Sequence, residues 1–297
     1  MHNKLESQLI DRIERSIHFM ISSLKADNSP SLEEIADAAA ISKFHFHRIY
    51  RLATGETCIE TLRRLRLAQG ATHLLQQNSS ITDAAFEAGY ATSQAFAKAL
   101  KAALSTSASK LKADPERLSG AIGYLGSPAV QKAGTASPLI SVELISLEPF
   151  DIIVKRHVGD PATETFVYQA LFDALGDFEN LEAILGFPHD DPRYVDISQC
   201  VVDCALGTSK APSELPPGIT LQEGPSGLFL LSPHVGSYGD MEPLTDALYE
   251  AALSMPFIEI ADTPMFIHYL DDPEETAEEN LRAVVHLPFK MRDGHEI

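Results

Sequence analysis

The feature that most constrains this 297-residue chain is a repetition in its second half. "RHVGDPATETFVYQALFDAL" (156–175) is matched in order and residue type by "PHVGSYGDMEPLTDALYEAA" (233–252), so His157–Val158–Gly159 returns 77 positions later as His234–Val235–Gly236. "FPHDDP" (187–192) returns as "HYLDDP" (268–273), 81 positions on. Two blocks in one order at nearly one offset mark a duplicated supersecondary unit. "LISVELISL" (139–147) and "DIIVKRHV" (151–158) are rich in β-formers and flank "EPF", which reads as a hairpin. A helical pattern over 162–178 follows, with Phe166, Ala170, Leu171 and Leu175 assigned to one face. The expectation is an α+β domain of two pseudo-symmetric β-α-β-β repeats sharing one core, with a ligand cleft between the copies.

The first half has a different texture. Residues 1–118 carry 15 Lys and Arg against 13 Asp and Glu, whereas residues 119–297 carry 8 against 29. The net charge of −19 therefore belongs to the second half, and the first remains able to face phosphate. Its pattern is helical, beginning with Leu5, Leu9, Ile13, Ile17 and Ile21 on one stripe. Residues 1–112 read as an all-α domain, 113–138 as a Gly-, Pro- and Ser-containing linker with room for a short helix, and 139–292 as the duplicated domain. No hydrophobic leader or membrane-length apolar run is present, and three cysteines (58, 200, 204) make no even disulfide framework. A cytoplasmic protein with no membrane partner is expected.

Within the first half, "SLEEIADAAAISKFHFHRIYR" (31–51) has helix-turn-helix layout. Ser31 with Glu34 forms a capping box, and Ser42 caps a second helix whose inward residues are Phe46, Ile49 and Tyr50. Lys43, Phe44, His47 and Arg48 are left on the outward N-terminal side, where a recognition helix meets base edges. "ITDAAFEAGYATSQAFAKALK" (81–101) repeats the layout, with Phe96 and Leu100 as anchors and Ser93, Gln94 and Lys98 outward. His45 and His47 sit two apart, about 200° around a helix, and cannot converge there on one metal ion. No metal, cofactor or catalytic residue is assigned.

These stretches, with "RRLRLAQGATHLL" between them, resemble the AraC family of transcription regulators over about 105 residues. The resemblance implies a double helix-turn-helix domain on double-stranded DNA, with Lys43, Phe44, His47, Arg48, Ser93, Gln94 and Lys98 as its DNA contacts. Two departures stand out. Ala40 occupies a turn position that often holds Gly, and Lys98 replaces a usual Arg, losing the planar fork.

The doubled blocks resemble the GyrI-like domain, the effector-binding module of Rob- and BmrR-type regulators. That resemblance implies a pocket for an amphipathic or aromatic small molecule, often a cation. Aromatic candidates for its wall are Tyr168, Phe187, Tyr194, Phe229, Tyr238, Phe266 and Tyr269. The family often carries a glutamate in the last strand; here "LRAVVHLPF" (281–289) puts Val284 in its place, and Asp203 is the nearest candidate substitute. Together the two halves read as a bacterial, ligand-responsive, sequence-specific transcription regulator whose partners are DNA, an effector and RNA polymerase. A hydrolase of small electrophiles and a drug-sequestering binder are the competing readings.

Overall fold

The computed structural model describes residues 2–25, 30–127, 138–176, 180–193, 195–292 and 294. The chain divides into two compact units, Ser7–Gly134 and Thr135–Ile297. No helix among the described residues is long and apolar enough to cross a membrane.

The first unit is helical. An opening helix α1 (His2–Lys25) buries Ile13, Ile17 and Met20. Helices α2 (Leu32–Ala39) and α3 (Lys43–Thr54) follow, the first closed by the Ser31–Glu34 capping box and the second capped by Ser42, whose hydroxyl accepts from the Phe44 amide. Ala40 ends α2 in the left-handed region at φ 53° and ψ 42°. A long helix α4 (Cys58–Leu74) leads to α5 (Ile81–Glu87) and α6 (Ser93–Leu104). Gly70 of α4 is where these three meet: a Cβ there would stand 2.7 Å from the Phe96 ring and 2.8 Å from the Ala84 carbonyl.

Two further helices complete the unit, α7 (Ala108–Lys112) and α8 (Pro115–Gly126). The second lies inside the stretch expected to be linker. Asp114 caps it, Pro115 starts it, and Leu118 and Leu125 sink into the core formed by Leu67, Ala71, Leu74, Phe96, Leu100 and Leu111. Three glycines weaken its helical signature in sequence, but two fully buried leucines seven apart hold it. The remainder of the expected linker, 128–137, lies outside the described residues.

The second unit is one antiparallel sheet with two helices on one face. Its elements are β1 (Glu143–Leu147), β2 (Asp151–Val158), α9 (Thr165–Leu175), β3 (Leu181–Pro188), β4 (Val201–Thr208), β5 (Thr220–Glu223), β6 (Gly227–Val235), α10 (Glu242–Ser254), β7 (Ile258–Ile260), β8 (Phe266–Tyr269) and β9 (Arg282–Met291). Strand order is β1-β6-β9-β8-β3-β4-β2-β5, with β7 on β9. The duplication is visible in this order: β2, β4 and β3 of the first copy mirror β6, β9 and β8 of the second across the β3–β8 junction, where Leu185 faces His268. The expected hairpin of β1 with β2 does not form. Each lead-in strand crosses to the other copy instead, β1 pairing with β6 and β5 with β2, so the copies are stitched at both ends of the sheet.

The repeated motifs are turn geometry. Gly159 and Gly236 adopt φ of 136° and 128°, and their amides donate to the Cys200 and Leu281 carbonyls, each over 2.9 Å. His157 Nε2 lies 3.0 Å from the Asp160 carbonyl, and His234 Nε2 lies 2.9 Å from that of Ser237. The first Asp of each "DDP" accepts the amide of the next strand's opening residue, Val201 to Asp190 at 3.0 Å and Arg282 to Asp271 at 2.8 Å. Helix α9 buries Leu171 and Leu175 against Ile153, Val202, Cys204 and Leu206. Phe166 stays exposed, a correction to its sequence assignment: it stands five residues, about 140°, from Leu171 and cannot share that face.

Candidate functional site

The outward residues of the two helix-turn-helix units are surface residues in the structure. Phe46, Ile49 and Tyr50 are buried and seat α3, while Lys43 is exposed and Phe44, His47 and Arg48 are half-buried along its N-terminal turns. Lys43 Nζ lies 3.1 Å from Glu33 Oε1 and 5.8 Å from the Phe44 ring centroid. His45, left without a role in the sequence, belongs to the core at 1% exposure. In α6 the anchors Phe96 and Leu100 are fully buried, Gln94 and Lys98 are exposed and Ser93 is half-buried. Thr92 caps this helix by accepting from the Ala95 amide. Helix α3 opens on Lys43 and α6 on Ser93 and Gln94, with Lys98 in its second turn, and the backbone amides at both N-termini add positive potential.

In the second unit the predicted pocket residues separate onto two faces of the sheet. Phe187, Phe229 and Phe266 lie on the face away from α9 and α10, packed with His286, whose ring stacks on Phe266 at 4.2 Å. Burial pulls the His286 pKa down to about 4, so this ring is neutral. Val284 and Asp203 share that face, at positions related by the 81-residue offset. Asp203 is not a lone acid. Arg156 Nε and Nη2 reach its two oxygens at 2.7 and 2.8 Å, and His189 Nε2 lies 2.7 Å away. Burial opposes ionisation of this carboxyl, but the hydrogen bonds of Arg156 and His189 outweigh it and hold the pKa well below the carboxylate range. A charge so compensated leaves little for a ligand. Tyr194 lies outside the described residues.

The helix face gathers the other three aromatics. Tyr168 on α9 and Tyr269 on β8 meet edge to face at 6.2 Å, and Tyr238 lies 4.8 Å from Tyr269. Tyr168 donates to the Leu185 carbonyl over 2.8 Å, and Tyr238 donates to the carbonyls of Asp271 and Arg282, each at 2.9 Å. Tyr269 forms no hydrogen bond through its hydroxyl among the described residues, although its ring keeps some accessible surface. Gly186 forms the floor. A Cβ there would stand 2.9 Å from the Tyr269 hydroxyl and 3.3 Å from that of Tyr168, so both phenols reach over it only because the side chain is absent.

Sequence reasoning missed the charged group coupled to these tyrosines. Glu164 precedes α9 with its side chain uncommitted to capping. Its carboxyl makes no ion pair or hydrogen bond among the described residues, and burial alone raises its pKa to about 7. Burial also lifts the Tyr168 and Tyr269 hydroxyls far above the phenol range and Cys204 to about 12, with the Glu164 charge adding to each rise. The Glu164 charge is thus electrostatically coupled to both phenols and the thiol. A signal was present in the sequence: 77 positions on, the duplicate holds Met241 where the first copy holds Glu164.

Comparison with known proteins agrees with this division of the chain. A helix-turn-helix domain model matches residues 35–114, and a GyrI-like small molecule binding domain model matches residues 141–290. The uncharacterized HTH-type transcriptional regulator YbfP of Bacillus subtilis is 31% identical over 100 residues, 34% of this chain and 31% of that protein. The HTH-type transcriptional activator AarP of Providencia stuartii is 34% identical over 82 residues, 28% of this chain and 61% of that one. The chain thus spans less than two thirds of either relative. Among solved structures, the EcmrR C-terminal domain aligns with a TM-score of 0.44 at 14% identity, covering 52% of this chain and 99% of that one. The chain belongs to the GyrI-like family, with an AraC-type helix-turn-helix domain ahead of its small molecule binding domain.

Proposed function

We propose that the chain is a ligand-responsive, sequence-specific transcription regulator of the bacterial cytoplasm. Residues 7–127 bind double-stranded DNA, and the cleft of the second unit binds a small flat effector. The observation that carries this reading is the presence, in one chain, of two capped, outward-facing recognition helices and a domain holding a cluster of three tyrosines. Lys43, Phe44, His47 and Arg48 read the first half-site, Arg48 being the member able to contact a guanine bidentately. Ser93, Gln94 and Lys98 meet the second with fewer specific donors. Polymerase contact completes the reading for a regulator that activates.

Tyr168, Tyr238 and Tyr269 offer the effector ring faces, and the Tyr269 hydroxyl offers a hydrogen bond. Glu164 offers a charge. A carboxylate without a cation of its own is stabilised by a bound one, so the cleft suits an aromatic cation despite the valine at 284. Burial holds the Cys204 thiol protonated at neutral pH, which weighs against nucleophilic hydrolysis through that thiol.

Selection of DNA from a random pool tests the regulator. One sequence class should be enriched by the wild type and lost with Arg48→Ala, and affinity should fall steeply with salt. No enrichment by the wild type overturns the reading. For the cleft, tetraphenylphosphonium and tetraphenylborate share a shape and differ in sign. Preference for the cation is expected, and equal binding of both refutes the role given to Glu164.

A further inference from the structure

One chain of hydrogen bonds runs from the first recognition helix to the last described residue before the second unit. Tyr50, fully buried in α3, donates to Thr61 Oγ1 on α4 over 2.8 Å. Thr61, also fully buried, donates to Glu56 Oε2 over 2.9 Å. Arg64 grips the same carboxylate through Nε, at 3.0 and 3.2 Å, and through Nη2 at 3.0 Å. Its remaining amino group, Nη1, donates to the carbonyls of Leu125 and Ser127 at 2.5 and 2.7 Å.

Those two carbonyls end α8. The last carbonyls of a helix have no partners within it and carry the negative end of its dipole, so a cationic fork is a fitting cap. Arg64 is 14% exposed and Glu56 24%, which keeps the pair in poorly screened surroundings. If α8 leaves, Arg64 loses two acceptors, Glu56 loses its fixed geometry and Thr61 loses the acceptor that orients its hydroxyl toward Tyr50. The end of α8 is held by this clasp and by the side chain of Leu125, with Ala121 and Ile122 packed on the same core. Residues after it lead covalently into the second unit.

We propose that α8 is a latch on the first recognition helix, with Arg64 as the positioning residue that couples the two. The proposal rests on the regulator reading for its purpose, though not for its geometry. Release of the end of α8 resets the seat of Tyr50 and with it the pose of Lys43, His47 and Arg48. Helix α6 shares a core with α8 through Phe96, Leu100, Leu118 and Leu125, so the second helix-turn-helix unit responds through packing and the first through the hydrogen-bond relay.

The test uses the full chain and amide hydrogen exchange in a double-variant design. Leu125→Ala loosens the end of α8. In the wild-type background it should speed exchange in α3 about tenfold as well as in α8. In the Arg64→Met background the same substitution should still speed α8 and α6 while leaving α3 where Arg64→Met alone put it. A plain loss of core packing would move α3 equally in both backgrounds, and that result, or an α3 unmoved in either, overturns the proposal. Should Leu125→Ala unfold the helical unit, Leu125→Val supplies the milder perturbation. The DNA recovered by selection gives a second readout: Leu125→Ala should weaken affinity more in the wild-type background than in the Arg64→Met background. If no DNA is enriched yet α3 exchange follows α8 through Arg64, the regulator reading fails and the relay stands.

Discussion

Replacing Glu164 by Gln probes the cleft most directly, because its consequence for stability can be worked from the structure. The carboxyl titrates near 7 in the folded chain against an ordinary value of 4.5. Between those values the folded state holds a proton that the unfolded state has released, so stability falls as pH rises through this window. Above about 7 the folded chain carries the whole cost of a buried, uncompensated carboxylate. Below 4.5 both states are protonated and the cost is gone. A shift of this size corresponds to about 3 kcal/mol at 1.36 kcal/mol per unit, and the side chain's partial exposure reduces the expectation to about 2 kcal/mol. Glu164→Gln should therefore be about 2 kcal/mol more stable than the wild type at pH 8 and equal to it at pH 4.5, measured by urea unfolding followed by circular dichroism. Carboxyl carbon resonances of glutamate-labelled chain should show one group titrating near 7 that the variant lacks. Tetraphenylphosphonium should restore most of the wild-type deficit at pH 8 and none of it in the variant. A midpoint between 4 and 5 for every glutamate, or one pH profile for both chains, refutes the placement of Glu164 in a desolvated cleft.

Four other substitutions have clear expectations. Gly186→Ala sets a methyl against the Tyr269 and Tyr168 hydroxyls, so tetraphenylphosphonium affinity should fall about tenfold with the circular dichroism spectrum unchanged. Ala40→Gly relieves a left-handed alanine and should stabilise the helical unit by about 0.5–1 kcal/mol in thermal unfolding, even though Arg12 donates to the Ala40 carbonyl in both. Gly70→Ala meets the Phe96 ring and the Ala84 backbone and should cost about 1–3 kcal/mol in the same assay. Asp203→Asn removes the partner of Arg156 and His189 and should cost about 2 kcal/mol at pH 7. That cost should shrink as pH falls below the usual carboxylate range, because the depressed pKa stabilises only while the acid is ionised; cation binding should be unaffected.

The helix-turn-helix units were legible from the chain because they depend on local signals. Ser31, Ser42 and Thr92 sit one residue before helical patterns, and each caps as its chemistry requires. The duplication was legible because Gly159 and Gly236 impose the same turn. What was hidden is non-local. No periodicity tells β1 to pass over β2 and pair with β6, since each strand alone is compatible with either neighbour. The seven aromatics looked alike in sequence, yet alternation along β3 and β8 sends Phe187 and Phe266 to one face and Tyr269 to the other. Helix α8 was masked by its glycines, whose low propensity is overridden by the burial of Leu118 and Leu125.

Comparison of the two copies shows why the cleft lies where it does. Glu164 and Met241 both stand immediately before their helices, and neither side chain caps. Four residues on, Tyr168 is matched by Thr245; across the sheet, Gly186 is matched by Ile267 and Cys204 by Val285. The second-copy set is closed: Met241, Thr245, Ile267 and Val285 are all under 8% exposed, and the Thr245 hydroxyl donates to the Met241 carbonyl over 3.0 Å. Packing there needs no further occupant. In the first copy a glycine replaces the isoleucine and a glutamate the methionine, so volume is removed and charge introduced at one point. The Tyr269 and Tyr168 hydroxyls reach into the place of the missing side chain. The shared residues, the His–Gly turns and the Asp-capped strands, maintain the fold twice over. Folding alone has no use for a partnerless carboxylate beside a missing side chain, and its cost in stability is offset when a cation with aromatic surface occupies the site.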